Sequence, residues 1–142
     1  MAKRSLEPWL AAAGFGPAPD FPEDELRTLP GMANGVSWMP AADAYETPDG
    51  WVVEAELPGV DPAEVRAEVH GGALWVWGVR HGTERGQAAF LAAERSFGPF
   101  ARRLVLPQGV DPAGIRAELR LGVLTVTLPR RARPGRRTIP VG

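Results

Sequence analysis

Hydrophobic and polar residues alternate with a period of two through the middle of the chain. Between residues 65 and 70, valine and alanine alternate with charged residues, and the same pattern returns between residues 115 and 121. This alternation is typical of a strand with one buried face. Further apolar segments bring the prediction to about six strands, at residues 51–57, 74–79, 97–106 and 123–128. Many short strands with few helices predict an all-β chain folded as an antiparallel β-sandwich.

Turn signals separate these strands. A motif that begins at Gly59 recurs 50 residues later at Gly109, and both copies contain the dipeptide Asp-Pro. Aspartate is a good helix N-cap and proline a good first helical residue, so each copy predicts one helical turn that leads into a strand. We interpret the copies as two equivalent corners of a pseudo-symmetric sandwich. Gly71-Gly72 predicts a two-residue hairpin turn, because glycine accepts a positive φ.

Three regions are expected: an N-terminal segment at 1–37, a β domain at 38–129 and a C-terminal extension at 130–142. The N-terminal segment is rich in proline and glycine, yet it also carries aromatic and aliphatic residues. Two short helices are predicted there, beginning at Pro8 and Pro22, and neither is long enough to be stable alone. The segment either packs on its own domain or offers an adhesive, flexible surface to other chains. We favour the second interpretation.

Composition narrows the function. The chain has 142 residues and a formal charge of -1, which argues against a globally basic nucleic-acid-binding protein. It has no cysteine, so a disulfide framework, a cysteine-ligated zinc and a thiol nucleophile are excluded. No apolar run reaches the length of a membrane span, and the N-terminus matches a signal peptide only faintly. We expect a cytoplasmic protein.

Catalytic motifs are missing. The serines are Ser5, Ser37 and Ser96, and none lies in a nucleophile elbow. There is neither a phosphate-binding glycine loop nor a dinucleotide-binding motif. His70 and His81 have no nearby group of further metal ligands, and the strand carboxylates are interpreted as solvated charges. The chain is predicted to be no enzyme and to need no cofactor or metal.

Four motifs in order suggest a family. They are Leu57-Pro58-Gly59-Val60, the run from Glu94 to Arg102, Leu106-Pro107, and the run from Ala117 to Leu124. Their order and spacing closely resemble the signatures of the small heat-shock proteins, in the part called the α-crystallin domain. The resemblance covers Trp38 to Pro129. It implies an immunoglobulin-like β-sandwich dimer that assembles into larger homo-oligomers and holds unfolding client proteins without ATP.

The resemblance also assigns sites. Ile139-Pro140-Val141 is similar to the family's C-terminal Ile-x-Ile/Val anchor, so Ile139 and Val141 are expected to bind a groove on a neighbouring subunit. The expected groove residues are Val65, Ala67, Val69, Ile115, Ala117 and Leu119. The expected client-binding residues are Trp9, Phe15 and Phe21.

The expected dimer follows the bacterial and plant type of the family. In that type, a strand from the loop before the Glu-Arg-Ser run is exchanged between subunits, and here the loop is His81 to Ala93. Phe90 and Arg102 are placed at the dimer interface. The alternative for Arg102 is an ordinary solvent-facing strand arginine.

Two other functions remain open. One is a co-chaperone-type β-sandwich that docks on another chaperone, although such proteins lack a terminal anchor. The other is nucleic-acid binding through the arginines of the extension, Arg130, Arg131, Arg133, Arg136 and Arg137, which a solvated tether explains equally well. We expect unfolding proteins and other copies of the chain as partners, and no nucleic acid. One departure from the family is Leu121-Gly122 in place of Asn-Gly, which leaves that turn type open because leucine resists a positive φ.

Overall fold

The computed structural model describes residues 22–132 and 138–142. Its helix α1 spans Glu23–Thr28. The strands are β1 (Ala42–Thr47), β2 (Gly50–Glu56), β3 (Val65–His70), β4 (Ala73–Arg80), β5 (Gly98–Val105), β6 (Arg116–Arg120) and β7 (Val123–Pro129). One sheet has the order β1-β2-β7-β6 and the other β3-β4-β5, with every pair antiparallel. The predicted β-sandwich is confirmed, and β1 is a strand that the sequence did not predict.

The main core lies between the two sheets. Alternate residues of each strand point into it, so β2, β4, β5 and β7 contribute Trp51, Val53, Leu74, Val76, Phe100, Leu104, Leu124 and Val126, all buried. Burial of each such side chain contributes roughly 1.5 to 3 kcal/mol. This packed core fixes the two sheets relative to each other and so positions the edge strands and loops at the surface.

Both copies of the repeated motif fold as predicted. Pro62–Glu64 and Pro112–Gly114 are short 3-10 turns, and each is capped by the aspartate before it. The Asp61 carboxylate accepts a hydrogen bond from the Ala63 amide at 2.9 Å, and Asp111 does the same for Ala113 at 3.1 Å. The turns lead into β3 and β6, which are the edge strands of their sheets.

The two hairpin turns differ in their fit to the sequence. His70 pairs with Ala73, and both intervening glycines have a positive φ, as predicted. Arg120 pairs with Val123, so Leu121-Gly122 is also a two-residue turn, and φ is 51° at Leu121 and 78° at Gly122. Positive φ at both positions is the pattern of a type I′ turn. Leu121 adopts it despite its side chain because the strand register leaves only two residues for the turn.

A second core lies on the outer face of the three-stranded sheet. Residues 22–36, here called the cap, place Leu26, Leu29 and Met32 against Trp75 and Trp77, and all five side chains are buried. For these residues the interpretation as an adhesive surface is wrong, because they pack on their own domain. The predicted helix at Pro22 is confirmed as α1. The predicted helix at Pro8 lies outside the described residues, as do Trp9, Phe15 and Phe21.

Candidate functional site

The strands of the predicted groove, β3 and β6, are edge strands, one in each sheet. In β3, Ala67 and Val69 pair with Val76 and Leu74, which belong to the main core, so they share its inward direction. The same holds in β6, where Leu119 pairs with Leu124. The six predicted groove residues, called the groove below, are Val65, Ala67, Val69, Ile115, Ala117 and Leu119. Five of them lie on inward-facing positions of β3 and β6, and Ile115 directly precedes β6. Within residues 22–132 and 138–142, no further strand lies on the outer side of β3 or β6.

The groove is incompletely filled by its own chain. Val65, Ile115 and Leu119 pack against the main core and are half-buried. Ala67 and Ala117 are exposed, and Val69 is 41% exposed. Inward-facing apolar residues that stay open to water mark a surface that a partner can cover.

The C-terminal anchor is open to solvent in the single chain. We use the name tail anchor for Ile139 and Val141, whose side chains are 75% and 96% exposed. Their spacing of two directs both to the same side of an extended chain, and Pro140 between them needs no hydrogen-bond acceptor. The tail anchor thus presents two exposed aliphatic side chains, and its binding to the groove of a neighbouring subunit stays a prediction.

The start of the extension is fixed to the sandwich. The Arg130 guanidinium lies 2.9 Å from a Glu46 carboxylate oxygen and 4.5 Å from the centre of the Trp51 ring. The backbone amide of Arg131 donates to Gly109. Seven residues, 132–138, connect this point to Ile139, and a chain of that length spans at most about 25 Å when extended. The engagement of Arg130 also removes one of the five arginines proposed for nucleic-acid binding.

The long loop between β4 and β5, residues 81–97, projects from the sandwich. We call it the arm. It has no strand or helix, and Phe90 and Leu91 near its tip are 69% and 102% exposed. A cavity of about 300 Å³ opens within it, lined in part by Phe90, Phe97 and Arg95. Exposed apolar residues on an unpaired segment are what the predicted strand exchange requires.

A single arginine holds the root of the arm. The Arg80 guanidinium donates hydrogen bonds of 2.6 and 2.8 Å to the Ser96 carbonyl and one of 3.3 Å to the Pro58 carbonyl. It lies 4.0 Å from the centre of the Trp38 ring. Burial, and second the nearby Arg95 charge, lower the pKa of Arg80, but an arginine keeps its proton in any case. Arg80 therefore ties the first and last residues of the arm to the sandwich.

Arg102 is placed differently from Phe90. It pairs with Val76 in β5, faces the main core and is 5% exposed, and burial lowers its pKa. The solvent-facing interpretation of Arg102 is wrong. Its role in a dimer interface, like that of Phe90, stays a prediction.

The cap and the two tryptophans beneath it escaped the sequence analysis. We call Trp75, Trp77, Ala73 and Ala101 the tryptophan face. The sequence does indicate that this strand is covered on both faces, because residues 74–79 form an apolar run without alternation. What covered the outer face could not be read from the run itself.

In residues 22–132 and 138–142, no group of three or more histidine, aspartate or glutamate side chains is arranged to hold a metal ion. The same part of the chain contains no helix long and apolar enough to cross a membrane.

Comparison with known proteins identifies the family to which this fold belongs. The sequence profile of the Hsp20/alpha crystallin family matches residues 43–142. The chain is 39% identical over 111 residues to spore protein SP21 of Stigmatella aurantiaca, which covers 75% of this chain and 66% of that protein. It is 35% identical over 127 residues to the 16.9 kDa class I heat shock protein 1 of Triticum aestivum, which covers 82% and 84%.

Solved structures agree. The crystal structure of a small heat-shock protein from Xylella fastidiosa superimposes with a TM-score of 0.69 at 38% identity, over 75% of this chain and 99% of that one. HspA from Xanthomonas axonopodis superimposes with a TM-score of 0.61 at 36% identity, over 66% and 95%. The two-sheet sandwich thus has counterparts among solved small heat-shock proteins, and the chain belongs to the Hsp20/alpha crystallin family.

Proposed function

We propose that this protein is an ATP-independent holdase, a chaperone that binds unfolding proteins and prevents their aggregation. The observation that carries the proposal is the apolar surface left open around a well-packed sandwich: the groove, the arm tip and the tail anchor. Family membership supports a chaperone role. A protein with apolar surface exposed in this way can bind exposed apolar segments of other chains through the hydrophobic effect, which needs no nucleotide hydrolysis.

Assembly follows from the same surfaces. The tail anchor of one subunit would bind the groove of another, and the arm would pair with a second subunit to form the dimer. Burial of two aliphatic side chains contributes roughly 3 to 6 kcal/mol before ordering costs, so a single tail binds weakly. Several tails together hold an oligomer through multivalency while individual subunits still exchange.

In this proposal the arm forms the dimer interface. Replacement of residues 81–93 by a short Asn-Gly turn should give monomers with an intact sandwich, as measured by light scattering and circular dichroism. The matched control is a variant with Phe90 and Leu91 replaced by serine, which keeps the loop length and should weaken the dimer less. A shortened arm that leaves the dimer mass unchanged would show that the subunits pair elsewhere.

The holdase activity is tested with a client that unfolds without heat. Reduced α-lactalbumin aggregates when dithiothreitol opens its disulfides, and this chain has no cysteine for the reductant to affect. Light scattering should show suppression at about one subunit per client, equal with and without ATP. Aggregation at the rate of the client alone, or suppression only with ATP, would refute the proposal.

A further inference from the structure

The tryptophan face is apolar and lies outside the main core, and the cap is what keeps it from water. Trp75 and Trp77 are 0% and 1% exposed, although both point away from the other sheet. On the neighbouring strands, Trp77 pairs with Arg66 and Ala101, and Trp75 pairs with Glu68 and Arg103. The face is thus an aromatic centre with a charged rim, whose basic members are Arg66 and Arg103 and whose acidic member is Glu68.

Besides apolar packing, the cap is held to the sheet by one ordinary hydrogen bond and by longer side-chain contacts of Glu25. Glu25 lies 3.7 Å from His70 and 3.8 Å from Arg103, and the Trp77 indole donates a 3.1 Å hydrogen bond to the Pro30 carbonyl. Helix α1 has six residues, too few for a helix that is stable by itself. The cap therefore keeps its structure only while it is docked, and release exposes both tryptophans.

The contacts of the cap define what else could bind there. It supplies apolar side chains at a spacing of three, Leu26, Leu29 and Met32. It adds a carboxylate for the basic members of the rim and a carbonyl for the indole N–H. Many amphipathic segments meet these requirements, and unfolding proteins expose such segments.

We propose that the tryptophan face is a second client-binding site, specific for short amphipathic segments with an acidic residue, and that the cap is its displaceable internal ligand. The site consists of residues other than the groove residues and other than the predicted client-binding residues Trp9, Phe15 and Phe21. This inference rests on the holdase proposal. It adds a place and a chemistry for the client, and it makes release of the cap the step that opens the site.

Charge reversal in α1 tests release of the cap. Glu25→Lys places a lysine beside Arg103 and His70, whereas the control Glu23→Lys makes the same change at an exposed residue of the same turn, whose salt bridge is with Arg27 in the cap. Only the first variant turns the attraction between the cap and Arg103 on β5 into a repulsion and removes the carboxylate beside His70. Hydrogen exchange of residues 22–36 should therefore rise roughly five- to thirtyfold there. Met32→Ser is a second route to the open state that leaves the rim intact.

Photo-cross-linking locates the client. A photoreactive amino acid at Glu68 lies on the outer side of β3, beside Trp75. The control position is Glu118, its equivalent in the repeated motif, which lies on β6 of the other sheet. With reduced α-lactalbumin, cross-links at position 68 should increase several-fold in Glu25→Lys and Met32→Ser, and cross-links at 118 should not. Excess free peptide of residues 22–36 should reduce the yield at 68.

The outcomes separate the two proposals. If the wild type protects α-lactalbumin but an open cap does not raise cross-linking at 68, the tryptophan face is not a client site and the holdase proposal stands. Cross-links at 68 that join two subunits would also overturn the inference, since a neighbour's cap would then occupy the face. If no variant protects the client, the holdase proposal fails and the inference fails with it.

Discussion

Leu121 makes the hairpin between β6 and β7 less stable than it could be. A leucine in the left-handed region is disfavoured by roughly 1 to 2 kcal/mol because its Cβ approaches the following carbonyl oxygen. Its side chain is 93% exposed, so replacement sacrifices almost no burial. Asparagine tolerates a positive φ and is favoured before glycine in this turn type. We expect Leu121→Asn to raise the free energy of unfolding by about 1 kcal/mol, and the melting temperature by roughly 3 to 6 °C.

The control for this variant is Leu121→Ala. Alanine removes the same exposed surface but retains a Cβ, so it should stay within a few tenths of a kcal/mol of the wild type. Circular dichroism follows thermal unfolding at equal subunit concentrations, because assembly makes the melting temperature concentration-dependent. If the asparagine and alanine variants melt together, backbone strain at Leu121 does not limit stability and the reasoning is refuted.

Three further predictions concern other surfaces. A hydrogen bond to Glu54, together with burial and the Glu54 charge, raises the pKa of Tyr45. Glu54→Gln should therefore lower that pKa in a tyrosinate absorbance titration of the only tyrosine, and wild-type stability should fall as pH rises through it. Deletion of residues 1–21 should leave the sandwich intact, whereas deletion of 1–37 should lower its melting temperature and shift tryptophan emission to the red, because it removes the cap. Alanine at both positions of the tail anchor should reduce the oligomer to dimers in light scattering without loss of β-structure, and an unchanged mass would contradict the anchor role.

The strands could be predicted wherever one face is polar. In β3 and β6 the alternation is complete, since each edge strand turns charged residues to water and valine, alanine or leucine inward. Strand β1 carries small alanines and a partly exposed tyrosine, so it lacks that contrast, and its existence depends on pairing with β2. In β5, consecutive arginines at 102 and 103 left the inward one undetermined until the register was known.

The candidate site was predictable only where its chemistry is local. The tail anchor and the groove strands are short apolar patterns that stand out in the sequence. Docking of the cap depends on contacts with a strand far along the chain, such as the bond between Pro30 and Trp77, and no local pattern encodes such a contact. The role of Arg80 likewise depends on Ser96 and Pro58, which meet only after the sheets have formed.

The root at Arg80 has a kinetic consequence for association. A loop of this length would ordinarily lose much conformational freedom when a partner binds it. Here the guanidinium already joins Ser96 to Pro58 within the single subunit, so the direction in which the arm leaves the sandwich is set when the chain folds. Part of the arm's conformational entropy is thus lost on folding, before two subunits meet. Less entropy is then left to lose when a partner binds the tip of the arm. If the arms form the dimer as proposed, two subunits sample fewer relative orientations before they bind than two subunits with free loops would.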